Sequence, residues 1–207
     1  MFITIEGPEG SGKTSHIKPL AEWLGAQGYS VFTTREPGGT SIGEQIRAVI
    51  HDLENTEMHP RTETLLYQAA RAQIVEQVIQ PRLKAGEIVL CDRYADSTIA
   101  YQGYGHRQPL EQILGLISYA TGGLLPELTV LLDLDVEIGL KRKTNQEEWN
   151  RLDAYTIDFH KRVRAGYLEM IKQAPARWAV VDASQPWEVV HAGLRAAIAR
   201  RLTPAQP

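Results

Sequence analysis

The chain reads as a single α/β domain in three layers, a five-stranded parallel sheet flanked by helices on both faces. Two observations predict this. Short β-rich runs alternate with stretches whose apolar residues recur at i, i+3 and i+4, the order that builds parallel sheets with helical crossovers. Two of the runs, Ile88–Asp92 and Thr129–Leu134, are almost continuously apolar, as strands covered on both faces are. A length of 207 residues suits one domain with a substantial core.

Taken in order, strands are expected at Phe2–Ile5, Ser30–Thr34, Ile88–Asp92, Thr129–Leu134 and Trp178–Asp182. The first helix runs from Ser15 to Leu24 with Ile17, Leu20, Ala21 and Leu24 inward. Pro19 lies inside it and predicts a kink or a locally missing hydrogen bond, because proline has no amide hydrogen. The second opens with a capping box, Ser41 to Glu44, and is expected to bury Ile42, Ile46, Val49 and Ile50. A helix from Glu63 to Gln80 follows. Later helices turn inward Leu110, Ile113, Leu114 and Ile117, then Phe159, Val163, Tyr167 and Met170, then Val190, Leu194, Ala197 and Ile198. There is no repeat or low-complexity stretch, and Thr203–Pro207 reads as a short tail.

Composition narrows the function. Apolar residues make up 43% and charged residues 23%, an ordinary balance for a soluble protein. A net charge of −3 gives no broad basic face for nucleic acid. The lone Cys91 cannot form an intrachain disulfide and suits a reducing compartment. No apolar run reaches membrane-spanning length, and no basic segment precedes the first apolar stretch as in a secretory signal. The expected location is the cytoplasm, with neither membrane nor nucleic acid as partner.

The most specific string is Gly7-Pro8-Glu9-Gly10-Ser11-Gly12-Lys13-Thr14, G-x-x-x-x-G-K-T between the first strand and the first helix. In that context it is a phosphate-binding loop, a P-loop. Glycines let main-chain amides wrap an anion, and the helix adds its positive end. Lys13 reaches the β- and γ-phosphates of a nucleoside triphosphate, and the Thr14 hydroxyl ligates the accompanying Mg²⁺. A P-loop alone does not separate kinases from GTPases or motor and transport ATPases. The N-K-x-D and D-x-x-G strings of a GTPase do not occur. Asp92 and Asp133 both end apolar strands and could serve Mg²⁺.

Three further constellations favour phosphoryl transfer. Asp92-Arg93 at a strand end sets a carboxylate for Mg²⁺ beside a planar guanidinium suited to a second phosphate. Tyr67 and Arg71, four apart on a helix, share a face that can stack on a base and bond its edge. Arg35-Glu36-Pro37-Gly38-Gly39 closes the second strand, and Ser97-Thr98-Ile99-Ala100-Tyr101-Gln102-Gly103 follows Arg93 closely enough to overhang the same cleft.

Together these segments, in this order and spacing from Phe2 to about Pro186, resemble the bacterial thymidylate kinases. The resemblance implies a P-loop kinase fold with a mobile lid, and transfer of phosphate from ATP to dTMP with Mg²⁺, in dTTP synthesis. It implies that Gly7 to Thr14 hold ATP, with Thr14 and Asp92 at the metal. Arg93 would grip the dTMP phosphate, Tyr67 would stack on thymine where relatives carry phenylalanine, and Arg71 would read its O4. Tyr101 would crowd out a ribose 2′-hydroxyl. Thr98 and Gln102 would complete the pocket beside Ser97, with Arg35 and Glu36 near phosphate and sugar.

Because the P-loop x positions carry no basic residue, the resemblance implies that a lid supplies arginines. The lid candidate is residues 141–154, from Lys141-Arg142-Lys143 to Arg151-Leu152-Asp153, interrupted by Thr144-Asn145-Gln146-Glu147-Glu148. Arg142 would lie against adenine or the phosphates and Arg151 at the transferring phosphoryl. Gln185, within Ala183-Ser184-Gln185-Pro186, would touch adenine, and the resemblance implies a homodimer. Two alternatives stay open: a kinase for another nucleotide or a deoxynucleoside, and a module that binds ATP without transferring phosphate.

Overall fold

The computed structural model describes residues 1–144 and 150–202. Strands β1 (Phe2–Glu6), β2 (Val31–Arg35), β3 (Ile88–Asp92), β4 (Leu128–Asp133) and β5 (Trp178–Asp182) form one sheet in the order β2-β3-β1-β4-β5. All its pairings are parallel. The helices are α1 (Lys13–Gly25), α2 (Ser41–His51), α3 (Pro60–Ile74), α4 (Gln80–Lys84), α5 (Ala95–Thr98), α6 (Leu110–Thr121), α7 (Val136–Thr144), α8 (Ile157–Gln173) and α9 (Trp187–Ala199). A π-helical turn, Val75–Ile79, joins α3 to α4, and a second, Ile99–Gly105, prolongs α5.

Strand alternation sorts the core into two faces. Ile3, Ile5, Leu90, Val130 and Leu132 point to one side, where Leu20 and Leu24 of α1 and Val190, Leu194 and Ile198 of α9 cover them. Phe2, Val89 and Cys91 point to the other, under Ile74 of α3 and Ile113 and Ile117 of α6. Leu131 on that side meets Phe159, Val163, Tyr167 and Met170 of α8. The expected inward stripes of α8 and α9 are all buried.

The central strand β1 lies between β3 and β4, so the strand order reverses beside it. Ligands of such sheets bind at this switch point, beyond the strand carboxyl ends. Ile5 pairs with Asp92, which carries the P-loop and the Asp92-Arg93 tip to the same level.

Several local expectations are corrected. The capping residue of α2 is Thr40, not Ser41: it is extended, and its Oγ1 accepts the Gly43 N–H at 2.9 Å. Glu44 is therefore not a capping partner; it accepts Gly39 N–H at 2.8 Å and Arg35 Nη2 at 2.9 Å. On the same helix Ile50 is buried, but Ile42 is 51% and Val49 46% exposed. Leu110 and Leu114 of α6 are likewise exposed, at 36% and 50%. These side chains are apolar at helical spacing, yet no described residue covers them fully. Strands β2 and β4 sit one residue off their expected bounds, and the helix expected at Glu63–Gln80 begins earlier and passes into a π turn after Ile74. Pro19 lies within α1 as expected. The tail, 203–207, and the lid's centre, 145–149, lie outside the described residues.

Candidate active site

The P-loop leaves β1 at Gly7, whose backbone lies so close to β4 that a Cβ would stand 2.5 Å from the Leu132 carbonyl oxygen. Gly12 precedes α1 in the left-handed region, φ +84°, and gives the helix no side-chain cap. The first amides of α1 thus remain for an anion. Lys13 curls back over the loop: Nζ donates to Gly7 O at 3.1 Å, Pro8 O at 2.9 Å and Ser11 Oγ at 3.2 Å. Burial, then Arg93, pushes the ammonium down to about 8. The Thr14 hydroxyl donates to Asp92 Oδ2 at 2.6 Å. Two hard oxygen ligands side by side fit Mg²⁺, which takes one or two protein oxygens and completes its shell with phosphate and water.

Arg93, with φ +68°, turns from β3 toward the loop. Its Nη1 donates to Gly7 O at 3.1 Å and its Nη2 to Glu9 Oε1 at 2.8 Å. Tyr101 Oη donates to the same Glu9 oxygen at 2.8 Å. Burial alone would raise Glu9; Arg93 and Lys13 hold it down at about 2. Beneath Arg93 lies the fully buried Glu6. Burial and then Asp96 push Glu6 up to about 7, against Arg93 and the hydroxyls of Ser97 and Tyr167. Three donors converge on its two oxygens, the arrangement of an ionised carboxylate.

A cavity of about 880 Å³ opens between these groups. It is lined by P-loop residues Glu9, Gly10, Gly12, Lys13 and Thr14, and by Arg35, Glu36, Tyr67, Arg71, Asp92, Arg93, Ser97, Thr98, Tyr101 and Gln102. Gly7, Pro8 and Ser11 lie beneath, holding Lys13. Within this lining, Arg71 is 1% exposed and pairs with Glu36 at 2.7 Å. It also donates to Gln68 at 3.0 Å, Thr98 Oγ1 at 2.8 Å and Tyr94 O at 3.0 Å. Despite burial, Glu36 holds the guanidinium above its ordinary value. Burial, with Glu63 nearby, likewise raises the Tyr67 hydroxyl, which stays protonated.

Besides Gly7, Pro8 and Ser11, three more expected residues do not line this cleft. Arg151, expected at the transferring phosphoryl, is engaged within the protein. Its Nη2 binds Glu63, its Nε donates to Ile50 O at 2.9 Å, and its Nη1 to Tyr155 Oη at 2.5 Å. Glu63 is fully buried and needs a cation; His106 and Arg151 hold it down at about 2 although burial would raise it. Arg142 and Gln185 meet elsewhere, at one loop. Arg142 Nη1 donates to Ala183 O at 2.9 Å, and Gln185 Nε2 to Asp182 Oδ2 at 2.9 Å. The cleft also includes Arg47 and His51, which the sequence reading missed. Their i, i+4 spacing on α2 was the available signal. Burial, then Arg47, pushes His51 down to about 3, so it is neutral. Lys143 and Asn150 join from either side of 145–149.

Comparison with known proteins agrees with this architecture. The family model described as Thymidylate kinase matches residues 5–194. A thymidylate kinase of Roseiflexus castenholzii is 51% identical, over 92% of this chain and 89% of its own. One from Herpetosiphon aurantiacus is 48% identical over 98% and 97%. One from Deinococcus radiodurans is 46% identical over 97% of each. With a P-loop and the Asp92-Arg93 pair at neighbouring strand tips, and with these matches along nearly its whole length, the chain belongs to the thymidylate kinase family.

Proposed function

We propose that the cleft transfers the γ-phosphoryl group of ATP to dTMP, giving ADP and dTDP for dTTP synthesis. The observation that carries this reading is the 3.1 Å bond from Arg93 Nη1 to Gly7 O, which ties the second cation to the loop that cradles the first phosphate chain. Donor and acceptor phosphates would then meet between Lys13 and Arg93, as in-line transfer requires. Lys13 leaves the loop carbonyls for the β- and γ-phosphates. Thr14 and Asp92 would hold Mg²⁺, which when bound neutralises and orients the triphosphate. Arg93 neutralises the acceptor phosphate, whose second pKa near 6 leaves it largely ionised at pH 7, so no general base is assigned.

Arg71, with Thr98 and Gln102, presents a fixed polar wall to the thymine edge, and the Tyr67 ring stacks on the base. Tyr101, held by Glu9, and Ser97 stand at the sugar and phosphate, with Arg35 and Glu36 beside them. Arg142 and Gln185 mark the adenine end, and residues 141–154 act as the lid that excludes water. Arg151 is a strut that ties the end of that segment to Glu63, rather than a ligand of the transferring phosphoryl. Among the described residues no helix is long and apolar enough to cross a membrane. The buried, unpaired Cys91 and the nucleotide substrates support a cytoplasmic location.

The exposed apolar side chains of Ile42 and Val49 on α2, Leu65 on α3 and Leu114 on α6 support a homodimer. An ADP-release assay across nucleoside monophosphates and thymidine tests the activity. The expected outcome is fastest turnover with dTMP; faster turnover of dUMP, UMP or thymidine refutes the choice of acceptor.

A further inference from the structure

Glu6 is the last residue of β1 and directly precedes the P-loop, and it is completely buried. A carboxylate in such a place is costly unless its lone pairs are filled. Oε1 accepts the Tyr94 N–H at 2.7 Å. Oε2 accepts the hydroxyls of Ser97 at 2.6 Å and Tyr167 at 2.8 Å. Each hydroxyl has one hydrogen; with both directed to Glu6, the 3.0 Å contact between Ser97 Oγ and Tyr167 Oη holds none. The lone pairs of Ser97 Oγ and Tyr167 Oη then face Arg93 Nη1, at 3.2 and 3.5 Å. The amide that Oε1 holds belongs to the residue after Arg93, whose own backbone is in the left-handed region at φ +68°. That conformation is uncommon for a side chain of this size and persists only where neighbours impose it.

We infer that Glu6 is a positioning residue for acceptor binding: it fixes the backbone beyond Arg93 and turns two hydroxyl lone pairs onto its guanidinium. The inference rests on Arg93 being the ligand of the dTMP phosphate. Glu6 itself touches neither substrate; it acts from beneath. Its reach also explains why the network draws on distant elements. Ser97 is on α5 and Tyr167 on α8, so one carboxylate sets strand tip, short helix and long helix around a single guanidinium.

The test is steady-state kinetics for both substrates, calorimetric dTMP binding and thermal unfolding on Glu6→Gln, Tyr167→Phe, the double variant and Arg93→Ala. Glutamine keeps the shape but cannot accept all three donors. It is expected to raise KM and Kd for dTMP about 10- to 100-fold, the loss of a hydrogen bond to a charged group, with KM for ATP changed less than about threefold. Tyr167→Phe removes one of the two hydroxyls and is expected to raise Kd for dTMP about 3- to 10-fold. The double variant should lose less than the product of the two, since both act through the same bonds.

A lower unfolding temperature with both KM values intact would make Glu6 merely structural and overturn the inference. Equal rises for ATP and dTMP, or a double variant that multiplies the singles, would do the same. If Glu6→Gln fails to fold, an unchanged dTMP Kd in Tyr167→Phe overturns it instead. Arg93→Ala separates the two levels. If it leaves dTMP binding intact, the acceptor reading itself falls; if it weakens binding while Glu6→Gln does not, only the role of Glu6 falls.

Discussion

On the proposed reading, replacing Arg71 separates what holds the molecule together from what recognises the base. The guanidinium is 1% exposed and its partner Glu36 is 5% exposed. Arg71→Ala leaves the Glu36 carboxylate buried without its cation and strips donors from Gln68, Thr98 and the Tyr94 carbonyl. Breaking a buried pair on one side costs about 3–5 kcal/mol, because the remaining charge is uncompensated. For a domain of this length that is roughly 6–20 °C in Tm. Replacing both partners, Arg71→Leu with Glu36→Leu, removes the stranded charge. Such exchanges are commonly neutral, within about 1 kcal/mol, when the apolar pair fills the space.

Stability and recognition should therefore part company in the double variant. Urea unfolding should show the single variant strongly destabilised and the double variant between it and wild type, because Gln68, Thr98 and the Tyr94 carbonyl still lack their donor. The dTMP KM, in contrast, should rise by about 100-fold in both, since the base edge loses its donor in each. A double variant no more stable than Arg71→Ala would refute the buried-charge argument. Wild-type dTMP affinity in either variant would refute the placement of Arg71 at the base.

Lys13→Ala should lower kcat about 10³-fold or more with the circular dichroism spectrum unchanged, measured at saturating ATP. The Lys13 ammonium, pushed down to about 8, is the charged form below that pH. The kcat/KM for ATP, which reports free enzyme, should fall as pH rises through about 8. The kcat at saturating ATP should hold to higher pH, because bound phosphates favour the protonated amine; identical profiles would count against this. Val49→Glu, on the exposed face of α2, should convert a dimer to monomers by light scattering while leaving the unfolding temperature within a few degrees; a dimer that survives the charge would place the interface elsewhere.

The sheet and its switch point were legible because their signals are local. Two strands read as continuous apolar runs, the P-loop is eight adjacent residues, and Asp92-Arg93 ends a strand. Tyr67 and Arg71 were legible as one helix face for the same reason. What periodicity does not report is cover: it marks Ile42, Val49 and Leu114 as apolar, and nothing in the sequence says that no described neighbour reaches them. The cap of α2 was misread because Thr40 and Ser41 are both good caps, and only backbone conformation distinguishes them.

Long-range pairing was the least visible. Glu36 meets Arg71 across 35 positions, and Arg151 meets Glu63 across 88. Arg151 was placed by its position in a lid, whereas a buried carboxylate on α3 decides where its guanidinium goes. Glu6 gave no sign at all, since its three donors lie from 88 to 161 positions away.

The contact between Glu9 and Arg93 has a thermodynamic corollary. Glu9 of the P-loop occupies Arg93, the cation that on the proposed reading takes the other substrate's anion. Admitting the monophosphate must loosen or redirect that carboxylate, and the loop carrying it feels the change. The two ligands are therefore not strangers: whatever factor the first imposes on the affinity of the second is returned in equal measure, and the enzyme senses a half-filled centre before any phosphorus moves.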